Sequence, residues 1–214
     1  MKLYYSPVSS YSMKTVMAFH EKNAPFEPMI VNLMDPAARA DFAKINPFGK
    51  VPFLVAGGEG RDTPESSVII EYIDGAVTGG QKLIPDDPAL ARKVRCMDRV
   101  FDLYVNEPMQ KIFFDGMRPS GKNDPFGVEQ AHNRLETTFA FLDKELANKT
   151  WAIGDTFSMA DCAAAPSLFY AQKVHPFDAH KNVVAYAGRL LERPSFQKVV
   201  KEAEPILAMM MAKG

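Results

Sequence analysis

The stretch of sequence that decides the fold is Lys2-Leu3-Tyr4-Tyr5-Ser6-Pro7-Val8-Ser9-Ser10. Its first part, residues 2–6, is rich in aromatic side chains and predicts a β-strand. In residues 10–22, side chains recur every three or four residues on one face, which predicts an α-helix. The members of that face are Met13, Val16, Met17 and His20.

The same alternation of strands and helices continues outward to residue 78. Further strands are predicted at 26–33 and 52–56, and further helices at 36–44 and 65–77. The inward face of the last helix is predicted to hold Val68, Ile69, Tyr72 and Ile73. The glycine-rich residues 57–60 indicate a hairpin turn. This order predicts that the first two strands are parallel and the last two antiparallel.

The sequence changes character after this region. Residues 79–87 are polar and rich in Gly and Pro, which predicts a linker, and the residues beyond carry helical patterns throughout. Pro108 is expected to kink or break one helix. Residues 159–171 are mostly apolar on every side and predict the buried central helix of a bundle. We therefore expect an α/β domain, 1–78, the linker, and an all-helical domain, 88–214.

Composition argues against several classes of protein. The 214-residue chain has 25 Lys+Arg and 26 Asp+Glu, a net charge of -1, whereas a nucleic-acid binder needs a basic stripe. No run of about 18 apolar residues is present, so we expect no membrane contact. The four histidines lack metal-ligand spacing, so we expect no metal. Two cysteines and no signal-peptide pattern favour a cytoplasmic protein.

The turn between the first strand and the first helix is the first candidate site. It carries three hydroxymethyl side chains in the tetrad Ser9-Ser10-Tyr11-Ser12. A helix N-terminus has unpaired N–H groups and about half a positive charge. Ser9 or Ser10 could therefore either cap the helix or donate a hydroxyl to an anion bound there. The residues alone leave both alternatives open.

Two further local features could contact a ligand. In Asn46-Pro47-Phe48-Gly49-Lys50-Val51-Pro52-Phe53, a proline opens a strand. If the Val51–Pro52 bond is cis, the Val51 main chain can point toward a ligand; if it is trans, Pro52 is an ordinary edge-strand proline. Glu65 and Ser66 open the next helix, where they could stabilise its first turn or bind an ammonium and a carboxylate.

A fourth feature is a folding signal. In Gly154-Asp155-Thr156-Phe157-Ser158-Met159-Ala160-Asp161, Ser158 and Asp161 fit the N-cap and N3 positions of a capping box. This spacing satisfies the unpaired N–H groups of a helix start. It predicts a structural role and no ligand site.

In this order and at these spacings, the four features resemble those of the cytosolic glutathione transferases over essentially the whole chain. The resemblance implies a thioredoxin-like N-terminal domain, an all-helical bundle domain, and glutathione as co-substrate. The tetrad that begins at Ser9 has no cysteine, unlike the turn of thioredoxin-like redox enzymes, and is similar to that of the bacterial serine-type transferases. Thiol–disulfide exchange is accordingly disfavoured.

The resemblance also implies roles for particular residues. Ser9 would contact the sulfur of glutathione, with Ser10 as the second candidate. Glu65 and Ser66 would bind the γ-glutamyl end, and the Val51–Pro52 bond would be cis. The full set of glutathione-binding residues would be Lys50, Val51, Pro52, Glu65 and Ser66.

An aromatic and Met-rich stretch of the helical half is suited to a small apolar electrophile. Its members are Tyr104, Met109, Phe113, Phe114 and Met117, and Tyr11 would join them from the first helix. Each could instead be a core or dimer contact. The expected function is transfer of glutathione to an electrophile, by a homodimer. The alternatives are glutathione-dependent isomerisation or dehalogenation, or a non-catalytic regulatory protein that binds glutathione.

Overall fold

A computed structural model describes residues 1–57 and 62–211 of the chain. The packing divides the chain into two compact units. The first consists of Met1–Ile84 together with the C-terminal segment that starts at Arg193, and the second is Pro85–Glu192. The sequence grouped all of residues 88–214 in one helical domain, whereas the packing places the C-terminal helix with the first unit.

A mixed four-stranded sheet forms the centre of the first unit. Its strands are β1 (Lys2–Tyr5), β2 (Glu27–Ile30), β3 (Phe53–Val55) and β4 (Thr63–Pro64), in the order β2-β1-β3-β4. β1 pairs in parallel with β2, while the β1–β3 and β3–β4 pairs are antiparallel. The predicted pairing directions are confirmed. Of the predicted turn at 57–60, all but Gly57 lies outside the described residues.

The helices of this unit are α1 (Ser10–Glu21), α2 (Pro36–Ala43) and α3 (Ser66–Ala76). α1 and α3 pack against each other and bury Met13, Met17, Ile69, Ile70 and Ile73. The predicted inward position of Val68 is wrong, because its side chain is 53 % exposed. The buried face of α3 follows the positions of Ser66, Ile69, Ile70 and Ile73, and Val68 lies outside that face.

The second unit is helical, as the sequence predicts for residues 88–192. Its helices are α4 (Pro88–Val100), α5 (Glu107–Gly116), α6 (Pro125–Glu145), α7 (Met159–Val174) and α8 (Lys181–Leu191). Asp87 and Asp124 cap α4 and α6, each accepting a hydrogen bond from a backbone N–H of the first turn. In both helices a proline follows the cap, where its missing N–H leaves no intrahelical bond unmade.

The predicted break at Pro108 is replaced by a local change of helix type. A π-helical segment, Phe101–Asn106, joins α4 to α5, and Pro108 lies in the first turn of α5. Because proline cannot donate a backbone hydrogen bond, the regular α-helical ladder cannot run unchanged through this position. The wider π-helical turns directly before Pro108 connect α4 to α5 without an interruption of the helix. Phe101 and Val105 of the segment are fully buried.

Residues 159–168 of α7 are buried, as predicted for a central helix, whereas Lys173 in its last turn is exposed. The residues from Met159 to Ala165 are at most 2 % exposed. Consecutive alanines in this run allow neighbouring helices to approach closely. Cys162 is buried in the same run, Cys96 is exposed on α4, and no disulfide joins them.

The Asp161 carboxylate joins the start of α7 to its neighbours. The Ser158 backbone N–H and hydroxyl donate to Oδ2 of Asp161 at 2.8 and 2.9 Å. The Ala152 N–H and the Tyr186 hydroxyl donate to Oδ1 at 2.8 and 2.6 Å. Despite these four donors, complete burial raises the pKa of the Asp161 carboxyl. The reciprocal pairing expected of a capping box is therefore confirmed, and it extends to α8 through Tyr186.

A chain of histidines links α6, the end of α7 and the start of α8. Nδ1 of His132 lies 2.8 Å from Nδ1 of His175. The Glu136 carboxylate contacts two rings: its Oε2 lies 3.4 Å from Nε2 of His175, and its Oε1 lies 3.1 Å from Nε2 of His180. The carboxylate of Glu136 can only accept, so His175 donates from Nε2 and accepts at Nδ1. When both rings are neutral, the Nδ1–H of His132 therefore donates to Nδ1 of His175.

Acid is expected to destabilise the second unit at this cluster. Burial, together with the neighbouring His175, lowers the pKa of His132. Below about pH 6.5, His132 therefore binds a proton more readily in the unfolded chain than in the folded chain. The free energy of unfolding consequently falls as the pH drops through this range. Urea unfolding at about pH 7.5 and about pH 5.5 measures the loss.

The His132→Gln variant is the control, because it removes the titrating group from the cluster. We expect a smaller loss of stability between the two pH values than in the wild type. Some dependence should remain, because burial also lowers the pKa of His20 in the first unit. An unchanged pH dependence in the variant would contradict the assignment to His132.

The C-terminal helix, α9 (Pro194–Met211), packs on α1, which explains its place in the first unit. Arg193, just before it, donates from two nitrogens to the Glu21 carboxylate, each at 2.7 Å. The Ser195 hydroxyl also donates to Glu21, and the Tyr5 hydroxyl donates to Glu202 at 2.5 Å. Charged and polar side chains thus tie α9 to both β1 and α1.

Candidate active site

Ser9 is the N-cap of α1. Its backbone is extended, with φ -79° and ψ 121°, and its Oγ accepts a hydrogen bond from the Ser12 N–H at 3.4 Å. The residue is only partly buried. A capping hydroxyl uses an oxygen lone pair, so its hydrogen stays available for a second acceptor. The two alternatives for Ser9, helix cap and donor to an anion, are therefore compatible.

The other hydroxyls near the turn are less accessible. Ser10 is 5 % exposed, and Ser12 is fully buried with its Oγ accepting from the Ser6 N–H at 3.3 Å. The Tyr5 hydroxyl is engaged by Glu202, and its pKa is raised by burial and by that hydrogen bond. Tyr11 is partly buried in the first turn of α1. Among the serines of the tetrad, Ser9 is the accessible donor.

The loop before β3 is shaped by a cis peptide bond between Val51 and Pro52, as the resemblance implied. The Val51 side chain packs in a small cluster with Val31, Phe42 and Phe53. In the described chain, the structure records no backbone hydrogen bond to Val51. The main chain of Val51 is therefore available to pair with an extended ligand.

Asn46 holds this loop, a role that the sequence analysis missed. It is 1 % exposed, its Nδ2 donates to the Lys50 C=O at 2.8 Å, and its Oδ1 accepts from the Phe48 N–H at 3.2 Å. The signal in the sequence was the Asn-Pro pair, which is typical of a turn start. Lys50, one of the glutathione-binding residues that the resemblance implies, is exposed.

Glu65 precedes α3 in an uncommon backbone conformation. The sequence placed it in the first helical turn, but it is the N-cap, with φ 72° and ψ 114° and no side-chain capping bond. Ser66 is the first helical residue and is 5 % exposed. A positive φ at a non-glycine residue costs about 1–3 kcal/mol and concentrates at functional sites. Glu65 itself is exposed, so its carboxylate is accessible.

Lys14, to which the sequence assigned no role, lies on α1 and reaches α3. It is 1 % exposed, and its Nζ donates to the Ser67 hydroxyl at 2.8 Å. A lysine within the apolar part of an amphipathic helix was the available signal.

The predicted electrophile residues fall in both units. Tyr11 lies in the first unit, while Tyr104, Phe113 and Met117 lie in the second, where they are 50, 40 and 50 % exposed. Phe114, also exposed, packs edge-to-face on Phe113. Met109 is 4 % exposed and is a core residue, so its proposed place in a pocket is wrong. In the second unit, Tyr104 of the π-helical segment, Phe113 and Phe114 of α5, and Met117 directly after α5 are thus accessible.

Residues 1–57 and 62–211 contain neither a metal-binding cluster nor a membrane-spanning helix. Within these ranges, no group of three or more His, Cys, Asp or Glu side chains is arranged to hold a metal ion. No helix of the same ranges has the length and apolar character needed to cross a membrane.

Comparison with known proteins gives a consistent family. Residues 3–80 match the family model for the glutathione S-transferase N-terminal domain, and residues 125–189 match that for the C-terminal domain. Glutathione S-transferase 3 of Zea mays is 31 % identical over 209 residues, which are 94 % of this chain and 93 % of the relative. Glutathione S-transferase GstB of Escherichia coli is 28 % identical over 190 residues, 87 % and 91 % of the two chains.

A solved structure supports the same relationship. The crystal structure of a glutathione S-transferase from Methylobacillus flagellatus with GSH bound superposes with a TM-score of 0.83 at 28 % identity, covering 92 % of this chain and 98 % of that one. The match includes both the thioredoxin-like sheet and the helical unit. The chain therefore belongs to the glutathione S-transferase family.

Proposed function

We propose that the protein is a serine-type glutathione transferase, in which Ser9 stabilises the thiolate of bound glutathione for attack on a small apolar electrophile. The observation that carries this proposal is the geometry of Ser9. Its oxygen caps α1, it is partly exposed, and its hydroxyl hydrogen can point to an anion at the helix start. Ser10 is the second candidate, but its burial makes contact with a ligand harder.

The energy required matches what this arrangement can supply. A free thiol has a pKa of about 8.5, and lowering it by about two units needs about 2.7 kcal/mol. A helix N-terminus contributes about 0.3–1 kcal/mol, and up to about 2 where it is partly buried. A hydrogen bond to a charged group contributes about 1.5–3 kcal/mol. Both together suffice, so Ser9 need not ionise or act as a base.

The rest of glutathione would be held by the cis-proline loop and the start of α3. Val51 would pair its main chain with the cysteinyl part of the ligand, next to Pro52. Glu65 would accept from the γ-glutamyl ammonium, while Ser66 and the N-terminus of α3 would bind the adjacent carboxylate. Lys50 is the proposed partner of the glycyl carboxylate.

The chemical step follows from a thiolate held in this way. The thiol proton passes to solvent, and the sulfur lone pair forms a C–S bond with the electrophilic carbon. The displaced group leaves with the bonding electrons, or, in an addition, the new carbanion takes a proton from water. Tyr11, Tyr104, Phe113 and Met117 would contact the apolar substrate. We also propose a homodimer and a cytoplasmic location.

Two measurements test this function. We expect the protein to be retained on immobilised glutathione and released by free glutathione, and to accelerate conjugation of a generic aromatic electrophile. Isomerisation or halide release without conjugation would favour the alternative glutathione-dependent reactions. Binding without any turnover would favour a non-catalytic regulatory protein, and a failure to bind would reject the proposal.

Replacing Glu65 by alanine is expected to weaken glutathione binding by about tenfold, because it removes a charged partner of the ammonium. Calorimetric titration with glutathione measures the dissociation constant. The Glu27→Ala variant is the control, since Glu27 is an exposed carboxylate on β2 of the same unit. Equal affinity in the Glu65→Ala protein and the wild type would show that the ammonium binds elsewhere.

A further inference from the structure

Lys14 has its whole side chain inside the first unit. It lies on α1, one helical turn after Ser10, and is 1 % exposed. Lysines are almost never fully buried unless they are paired, because removing an ammonium from water is costly. A buried lysine at this place therefore calls for a structural or functional explanation.

The position of the Lys14 ammonium explains why this lysine is buried. Nζ of Lys14 donates to the Ser67 hydroxyl at 2.8 Å. Ser67 is the second residue of α3 and directly follows Ser66. A single side chain thus connects the first turns of α1 with the first turn of α3.

We propose that Lys14 is a positioning residue that fixes the start of α1 and the start of α3 relative to each other, so that both ends of glutathione can be bound at once. The inference rests on the proposed function, in which the sulfur lies at Ser9 and the γ-glutamyl group at Glu65 and Ser66. Lys14 acts through Ser67 and the two helices and need not touch the ligand. Small displacements of such binding groups have large effects on reactivity.

The charge of Lys14 has a second consequence. The thiolate and the γ-glutamyl carboxylate are both anions, and each would be bound at a helix N-terminus. A positive charge buried behind these termini is screened less than a surface charge, so it adds to the field of the helix dipoles. A neutral side chain of similar size keeps the packing and loses both the hydrogen bond and this charge.

α1 also provides a matched comparison. Lys22, its C-cap, is 3 % exposed and pairs with Asp74, with Nζ 3.0 Å from Oδ1. Asp74 also accepts from the N–H groups of Leu83 and Ile84. Lys22 is thus a second buried lysine on the same helix, at the end away from Ser9, with an evident structural role.

The test compares Lys14→Met with Lys22→Met, after glutathione binding by the wild type is established. For Lys14→Met we expect a KM for glutathione about tenfold higher and a pKa of the bound thiol about one unit higher, that is, about threefold less thiolate at pH 7. Lys14→Arg, which keeps the charge, should recover most of the thiol pKa. Lys22→Met should lower the melting temperature yet leave both quantities within about twofold.

Ser67→Ala keeps the test decisive if a lysine variant does not fold. Because Ser67 is only partly buried, its replacement is expected to be tolerated, and it should raise KM about threefold if Lys14 acts through it. Unchanged KM and thiol pKa in folded Lys14→Met, or an unchanged KM in Ser67→Ala, would overturn the inference while the proposed function stood. A wild type that does not bind glutathione would instead reject the function itself.

Discussion

Replacing Ser9 by alanine is expected to raise the pKa of the thiol of bound glutathione by about one to two units. The variant loses a hydrogen bond to an anion, worth about 1.5–3 kcal/mol, and each pKa unit corresponds to 1.36 kcal/mol. At pH 7, a thiol pKa that rises from about 6.5 to about 7.5–8.5 should lower the thiolate fraction, and with it kcat, by about 3- to 25-fold. The dissociation constant for glutathione should change only a few fold, because the other contacts of the ligand remain.

The ultraviolet absorbance of the thiolate, titrated against pH with saturating glutathione, measures this pKa directly. Ser12→Ala is the control, since Ser12 is fully buried in the same turn and its hydroxyl is engaged by the Ser6 N–H. It should lower stability slightly and leave the thiol pKa unchanged. If Ser9→Ala titrates like the wild type, another group stabilises the sulfur, and Ser10→Ala becomes the next variant to measure.

The second large effect concerns folding. Replacing Asp161 by alanine should lower the free energy of unfolding by about 3–5 kcal/mol, because four buried or partly buried donors lose their acceptor together. For a chain of this size, 1 kcal/mol corresponds to about 2–4 °C, so the melting temperature should fall by at least about 6 °C. Thermal unfolding followed by circular dichroism measures the change.

Asp155→Ala is the matched variant for this experiment. Asp155 lies in the same segment, but it is exposed and accepts from the Thr150 hydroxyl at 3.0 Å. Its loss should cost no more than about 1 kcal/mol. Similar melting temperatures for the two variants would mean that Asp161 stabilises α7 no more than a surface carboxylate does.

Local rules predicted much of the fold from the sequence. The βαβ unit followed from apolar periodicity, and the start of α7 followed from the spacing of Ser158 and Asp161. The place of α9 did not follow, because it depends on pairs between residues distant in the chain, such as Tyr5 with Glu202 and Arg193 with Glu21. Sequence patterns carry no signal for such partners.

The candidate site shows the same division. The residue types at the three candidate ligand-binding positions were visible in the sequence, but their geometry was not. Glu65 lies outside α3 because its φ is 72°, and no local pattern announces a positive φ at a glutamate. The role proposed for Lys14 depends on the packing of α1 against α3, which brings its ammonium to Ser67. Periodicity assigns a residue to a face, and tertiary packing decides what that face meets.

The pKa of the glutathione thiol in the wild-type complex is the quantity on which the proposed mechanism most directly depends. Titration of the thiolate absorbance should give a value about two units below the 8.5 typical of a free thiol. Saturable binding of glutathione with a thiol pKa that stays near its free value would contradict the claim that this helix start activates the sulfur.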